Sequence, residues 1–133
     1  MLAAVGQLCS SANILSNLKA AVRIINGAAD QGAAAVFLPE ATDFIAPAAN
    51  VSALTRSPEN AQFVEGIQSE ARKRKVFVSV GIHEPPGQAE EAESQGRQRG
   101  YNTHLLIDNE GSVVSRYRKV SAWPCMARSS AAG

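Results

Sequence analysis

Short continuous apolar runs alternate with segments whose apolar residues repeat at helical spacing, and this order restricts the chain to few folds. The apolar runs cover residues 2–9, 33–38 and 76–81. Runs of this length bounded by Ser, Pro or Gly are typical of buried strands. We therefore predict three strands separated by two helices.

The helices are predicted from periodicity and from their end signals. The first carries its apolar face from Ile14 to Ile25 and ends before Gly32, a residue suited to a C-terminal stop. For the second helix, Ser57 and Pro58 occupy the cap and first helical position. The segment between Glu40 and Ser57 is predicted as a polar loop.

A hairpin is predicted at the end of the ordered sequence. Residues 101–108 and 112–119 are strand-like, and the three-residue loop between them contains Gly111. Residues 85–100 have no hydrophobic anchor and are predicted as a surface loop. The whole order predicts a layered α/β domain with helices on one face of its sheet.

Charge and cysteine content exclude several classes of protein. The formal net charge is +1, which argues against a nucleic-acid binder or an anionic-membrane binder. Two cysteines are too few for a disulfide framework, and the chain contains no apolar stretch of membrane-spanning length. We expect a cytoplasmic protein with Cys9 buried in the core.

Glu40 and Lys119 are the candidate site residues from position alone. Glu40 follows a predicted strand directly, where sites of α/β sheets gather. Lys119 ends the last strand on the face of Val113, Ser115 and Tyr117, which we predict to point inward. A buried lysine needs a nearby anion, so the two could form a catalytic pair; alternatively, both are solvated charges at element ends.

Several motifs resemble those of the nitrilase superfamily of carbon-nitrogen hydrolases. They are Val-Phe-Leu-Pro-Glu at residues 36–40, with the following Ala-Thr-Asp-Phe, and Arg-Tyr-Arg-Lys at residues 116–119. Residues 4–11 and 80–86 are similar to the Nit branch, particularly to deaminated glutathione amidases. The resemblance implies that the chain supplies the N-terminal half of an α-β-β-α sandwich, truncated after Lys119.

The resemblance also implies a mechanism. Glu40 matches the family's general base, and Lys119 matches the lysine that stabilises the oxyanion when a small amide is hydrolysed. No cofactor or metal is implied, and His83 and His104 lack metal-ligand spacing. The family's nucleophilic cysteine has no counterpart, because Cys125 follows Lys119 too closely and lacks a strand-to-turn context. We expect the chain itself to be inactive.

The sequence departs from the family pattern at Val120. Residues 121–133 are rich in Ser, Ala and Gly, and we predict a disordered tail after a partial domain at residues 1–120. Such a half-sandwich would leave apolar strand faces uncovered. We therefore expect poor solubility, a homo-oligomer, or a non-catalytic association with a full-length subunit.

Overall fold

The described part of the chain forms a five-stranded sheet with helices packed against it. The computed structural model describes residues 1–94 and 100–119. The predicted disordered tail and Cys125 lie outside these residues. The elements are, in order, β1 (Leu2–Val5), α1 (Ile14–Asp30), β2 (Ala33–Phe37), α2 (Ala48–Thr55), α3 (Pro58–Arg74), β3 (Phe77–Glu84), α4 (Gln88–Ser94), β4 (Tyr101–Ile107) and β5 (Val113–Arg118).

The strands lie in the sheet in the order of the sequence. β1, β2 and β3 are parallel neighbours, with α1 and α3 as their crossover helices. β3, β4 and β5 are antiparallel neighbours. The predicted α/β class is confirmed, and so is the hairpin: Gly111 has φ +83°, and the Asp108 carboxylate accepts hydrogen bonds from the backbone N–H groups of Glu110 and Ser112.

The hydrophobic core lies between the helices and one face of the sheet. Val36, Val78 and Leu105 come from adjacent strands and are fully buried. Phe63 and Ile67 of α3 join them in the same cluster. Burial of this face is the main favourable contribution to folding, because apolar side chains are removed from water there.

The opposite face of the sheet is uncovered in the described part of the chain. Phe37, Phe77, Leu106 and Tyr117 share this face by strand register and are all exposed. We refer to these four residues as the open-face patch. An apolar patch of this kind is typical of a surface that binds another element or chain.

The helix ends follow local signals. Asn13 caps α1 by accepting a hydrogen bond from the Ser16 N–H at 3.0 Å. The predicted start of α3 is confirmed, with Ser57 at the cap and Pro58 in the first turn. The predictions of a loop between Glu40 and Ser57 and of a loop at residues 85–100 are wrong where the short helices α2 and α4 form. Neither has the strong apolar periodicity on which the other helices were recognised.

The predicted orientation of β5 is wrong from Ser115 onward. Arg116 and Arg118 pair in register with buried residues of β4 and so share the helix-facing side, whereas Tyr117 is 64% exposed on the open face. A bulge interrupts the alternation near the start of the strand: Val113 pairs with the buried Ile107 and packs against the core, as predicted, whereas the residues after the bulge are shifted to the opposite faces. The arginines are accommodated because both reach the carboxylate of Glu84, whose side chain is only 10% exposed.

Cys9 is also placed differently from the prediction. β1 ends at Val5, and the Cys9 thiol is free and exposed. The apolar run at residues 2–9 therefore extends past the strand into a loop. Separately, among the described residues, no helix is long and apolar enough to cross a bilayer.

The one-sided core predicts different costs for two phenylalanines. Phe63 is 0% exposed and Phe77 is 40% exposed. Phe63→Ala should lower the free energy of unfolding by about 3–5 kcal/mol, because it leaves a cavity in the core. Phe77→Ala should cost about 1 kcal/mol or less. Urea unfolding followed by circular dichroism measures both, and equal losses would contradict a core on one face only.

Candidate functional site

Glu40 lies in a tight turn at the carboxyl end of β2. The chain leaves the strand after Phe37, and Ala41 adopts a left-handed conformation with φ 51°. The Thr42 hydroxyl donates a 2.7 Å hydrogen bond to the Pro39 carbonyl, which closes the turn from within. Glu40 is thereby held at the apex of a short, internally bonded turn.

The turn rests on β3 at Gly81. The Gly81 N–H donates to the Pro39 carbonyl at 3.1 Å, and the Thr42 N–H donates to the Gly81 carbonyl at 2.9 Å. A Cβ atom at residue 81 would lie 2.5 Å from the Glu40 Cα. Only a residue without a side chain allows this approach of two backbones.

Lys119 is placed by the end of the hairpin. Its backbone N–H donates to the Asn102 carbonyl at 2.8 Å, so the residue continues the antiparallel pairing one step beyond β5. Asn102 lies opposite His83 of β3, close to the carboxyl end of that strand. The last strand therefore returns Lys119 to the edge of the sheet where the Glu40 turn lies.

The side chains of Glu40 and Lys119 are in contact. The Lys119 Nζ donates a hydrogen bond to the Glu40 Oε1 across 79 residues of sequence. Both side chains are about half exposed, at 55% and 52%. The two groups thus form an ion pair and remain solvated at the ends of their elements.

The electrostatics of the pair favour an ionised Glu40. The hydrogen bond from Lys119 is the largest cause that lowers the pKa of Glu40 below its ordinary value. Hydrogen bonding by the Asn102 side chain and the charge of His104 lower the pKa further, while partial desolvation opposes them. A paired carboxylate and ammonium can accept a proton and stabilise developing negative charge, respectively.

His104 lies beside the pair on the open face. It is in register with Gly81, and its Nε2 is 2.6 Å from the Ser79 hydroxyl oxygen. The ring is thus tied to β3 by a side-chain hydrogen bond. Among the described residues, no group of three His, Cys, Asp or Glu side chains is arranged to hold a metal ion.

A buried polar network behind the Glu40 turn was missed by sequence reasoning. Asp43 is fully buried, and its carboxylate accepts hydrogen bonds from the backbone N–H groups of His83 and Phe44. The His83 Nδ1 lies 2.8 Å from the same carboxylate. Asn17 of α1 donates to the Asp43 carbonyl at 2.9 Å. Asn17 on the apolar face of α1 was the signal in the sequence that could have indicated this network.

A separate cavity of about 420 Å³ lies on the helix-facing side of the sheet. It is lined by α3 residues such as Asn60 and Val64, and by Leu105 and Arg116. Glu40 and Lys119 are not among its lining residues. The candidate site is therefore the exposed pair at the open-face edge, and not the cavity beside α3.

The sequence of this chain is similar to those of known proteins. The family model for carbon-nitrogen hydrolases matches residues 2–131. The probable hydrolase nit2 of Schizosaccharomyces pombe is 38% identical over 120 residues, which are 89% of this chain and 41% of that protein. The deaminated glutathione amidase of Mus musculus is 36% identical over 118 residues, 89% of this chain and 35% of the amidase. The chain thus spans about two fifths or less of these relatives.

Solved structures share the fold. The Caenorhabditis elegans NitFhit protein is 28% identical with a TM-score of 0.74, and the match covers 90% of this chain and 27% of that one. An amidase from Nesterenkonia sp. is 20% identical with a TM-score of 0.72 over 91% of this chain and 43% of its own, which shows the fold alone. The family model, the fold and the Nit-like relatives agree: this chain belongs to the carbon-nitrogen hydrolase family, and it resembles the Nit branch of the nitrilase superfamily.

Proposed function

We propose that Glu40 and Lys119 are the general base and the oxyanion-stabilising lysine of an amidase. The observation that carries the proposal is the direct contact between their side chains. Two residues so far apart in sequence meet at the carboxyl edge of the sheet, where the family motifs also fall. An ion pair serving stability alone would contribute little at this exposure.

In the proposed reaction, Glu40 takes the proton of a cysteine thiol, and the thiolate attacks the amide carbon. The Lys119 ammonium stabilises the negative oxygen of the tetrahedral intermediate. Glu40 returns the proton to the nitrogen, ammonia leaves, and a thioester remains. Glu40 then takes a proton from water, whose oxygen attacks the thioester and releases the acid and the thiol.

The nucleophile is proposed to come from outside these 133 residues. Cys125 is six residues beyond Lys119 by sequence number and lies outside the described part of the chain. Cys9 is exposed and lines a shallow pocket together with Pro39, but neither Glu40 nor Lys119 lines that pocket. The chain alone is therefore proposed to be inactive while carrying two of the three catalytic groups.

The proposed substrate is a small amide that bears a carboxylate, such as deaminated glutathione or a related ω-amide. The support is the 36% identity to the mouse deaminated glutathione amidase. The Nit-like segments at residues 4–11 and 80–86 point to the same branch. We propose a cytoplasmic location, because the low cysteine content suits a reducing compartment.

A hybrid enzyme tests the roles of both residues. Residues 1–119 would be joined to the remaining portion of the mouse amidase, and ammonia release from deaminated glutathione and from an ω-amide measured. Glu40→Gln and Lys119→Ala should each lower kcat by about 100-fold or more, because proton transfer or oxyanion stabilisation is lost.

The exposed pair of Lys75 and Glu110 provides a matched control, since its atoms are 3.3 Å apart and it lies away from the site. Lys75→Ala and Glu110→Gln repeat the same chemical changes and should leave kcat unchanged. A normal kcat in either Glu40→Gln or Lys119→Ala would reject the role given to that residue. A folded hybrid that hydrolyses neither amide would reject the proposed substrate class.

The isolated chain provides an independent test. It should release no ammonia from either amide above the uncatalysed rate, since a base and a cation without a nucleophile form no acyl-enzyme intermediate. The assay is run beside Cys125→Ala and Cys9→Ala. Steady release by the chain that disappears in one of these variants would identify that cysteine as the nucleophile and contradict the proposal.

A second candidate function is a non-catalytic association with a full-length subunit. It is favoured by the open-face patch, which presents Phe37, Phe77, Leu106 and Tyr117 to water. Burial of one large apolar side chain is worth roughly 1.5–3 kcal/mol, so a partner that covers the patch would gain substantially. Self-association through the same patch would give a homo-oligomer.

Sedimentation velocity distinguishes these states. The chain is measured alone and in a mixture with the full-length fission yeast relative, and a complex is expected in at least one of the two samples. Phe77→Ser should weaken the affinity of that complex about tenfold or more. Leu15→Ser is the control, because Leu15 is similarly exposed but lies on α1. A chain that stays monomeric in both conditions, or equal effects of the two variants, would contradict a role for the open face.

A further inference from the structure

The turn that carries Glu40 is in unusually close contact with β3. A Cβ at residue 81 would approach the Glu40 Cα to 2.5 Å, the Pro39 carbonyl oxygen to 2.9 Å and the Ala41 nitrogen to 3.2 Å. All three neighbours are backbone atoms, so none can rotate away as the end of a side chain could. A methyl group here has to displace the turn itself.

Hydrogen bonds fix the turn at this distance. The Pro39 carbonyl accepts from the Gly81 N–H at 3.1 Å and from the Thr42 hydroxyl at 2.7 Å. The Thr42 N–H donates back to the Gly81 carbonyl at 2.9 Å. Gly81 thus bonds to both sides of Glu40 through its own backbone, while Thr42 closes the turn from inside.

We propose that Gly81 and Thr42 are positioning residues that hold the Glu40 carboxylate within reach of the Lys119 ammonium. This inference rests on the proposed function, in which Glu40 and Lys119 act together in catalysis. The hydrogen bonds that lower the pKa of the carboxylate come from Lys119 and Asn102, and not from either of the two positioning residues. Gly81 and Thr42 act by fixing the backbone of the turn, and Lys119 is fixed independently through its bond to the Asn102 carbonyl. The Glu40 carboxylate and the Lys119 ammonium therefore meet only while the turn keeps its hydrogen bonds to β3.

The pKa of Glu40 depends on the distance between its carboxylate and the Lys119 ammonium, and it can be measured without a substrate. Lys119 lowers the pKa of Glu40 mainly by a hydrogen bond, which a displacement of the turn would break. The pair stabilises the fold only while Glu40 is ionised. Its contribution is present above the ordinary carboxyl pKa and is lost as the pH falls through the lowered value.

The experiment is a ¹³C NMR titration of the Glu40 carboxyl in the full chain. Gly81→Ala should raise the Glu40 pKa towards its ordinary value, as should Lys119→Met, which removes the partner directly. Gly27→Ala is the matched control, because a Cβ at residue 27 meets nothing within 4 Å. It should leave the Glu40 pKa at its wild-type value.

An unchanged Glu40 pKa in a folded Gly81→Ala chain would overturn the proposal. If that variant loses its dispersed amide spectrum, Thr42→Val decides, since it removes the hydroxyl bond and adds no bulk to the contact with Gly81. A raised Glu40 pKa in Thr42→Val supports the proposal, and an unchanged one overturns it.

The titration and the hydrolysis assay can fail separately. Suppose that Gly81→Ala raises the Glu40 pKa, while the Glu40→Gln variant of the hybrid enzyme keeps full activity. The positioning role then stands, and the amidase role of Glu40 is rejected. If Glu40→Gln abolishes activity while Gly81→Ala leaves the pKa unchanged, the amidase role stands and the positioning role falls.

Discussion

Burial of one face of the sheet is the constraint on which the rest of the structure depends. Val36, Val78 and Leu105 pack with Phe63 and Ile67 beneath the helices, and all five are fully buried. This contact fixes β2, β3 and β4 relative to one another. Because the helices occupy that face, the candidate site and the open-face patch both lie on the other side or at its edge.

The chemistry of the site depends on how much water reaches it. A general base works best when its pKa is near the working pH, yet Lys119 lowers the pKa of Glu40, and Glu40 is about half exposed. Desolvation acts in the opposite direction on a carboxylate. Covering the open face would raise the pKa of Glu40 through desolvation, but it would also strengthen the attraction between Glu40 and Lys119, which lowers that pKa. In the proposed mechanism, the same loss of water would strengthen the attraction between the oxyanion and Lys119.

Much of the fold was predictable because its signals are local. The apolar face of α1, the Ser57–Pro58 start of α3 and the Gly111 turn each depend on neighbouring residues. The short helices α2 and α4 lack such a local signal and were missed, because tertiary context rather than a local pattern favours them. For the site, the position of Glu40 after a strand and the family motifs identified both candidate residues. Gly81 and Asp43 were missed as parts of the site, because their roles arise from contacts with residues distant in sequence.

The sequence by itself determined the order of the strands and of the helices α1 and α3, the hairpin, and the membership of a family whose motifs contain Glu40 and Lys119. These properties follow from periodicity and from short contiguous patterns. Only the tertiary structure decided which face of β5 turns towards the helices, that Cys9 is exposed, and that Glu40 meets Lys119 across 79 residues. Such outcomes depend on strand register and on the close approach at Gly81, which arise when distant segments pack together and which no local pattern encodes.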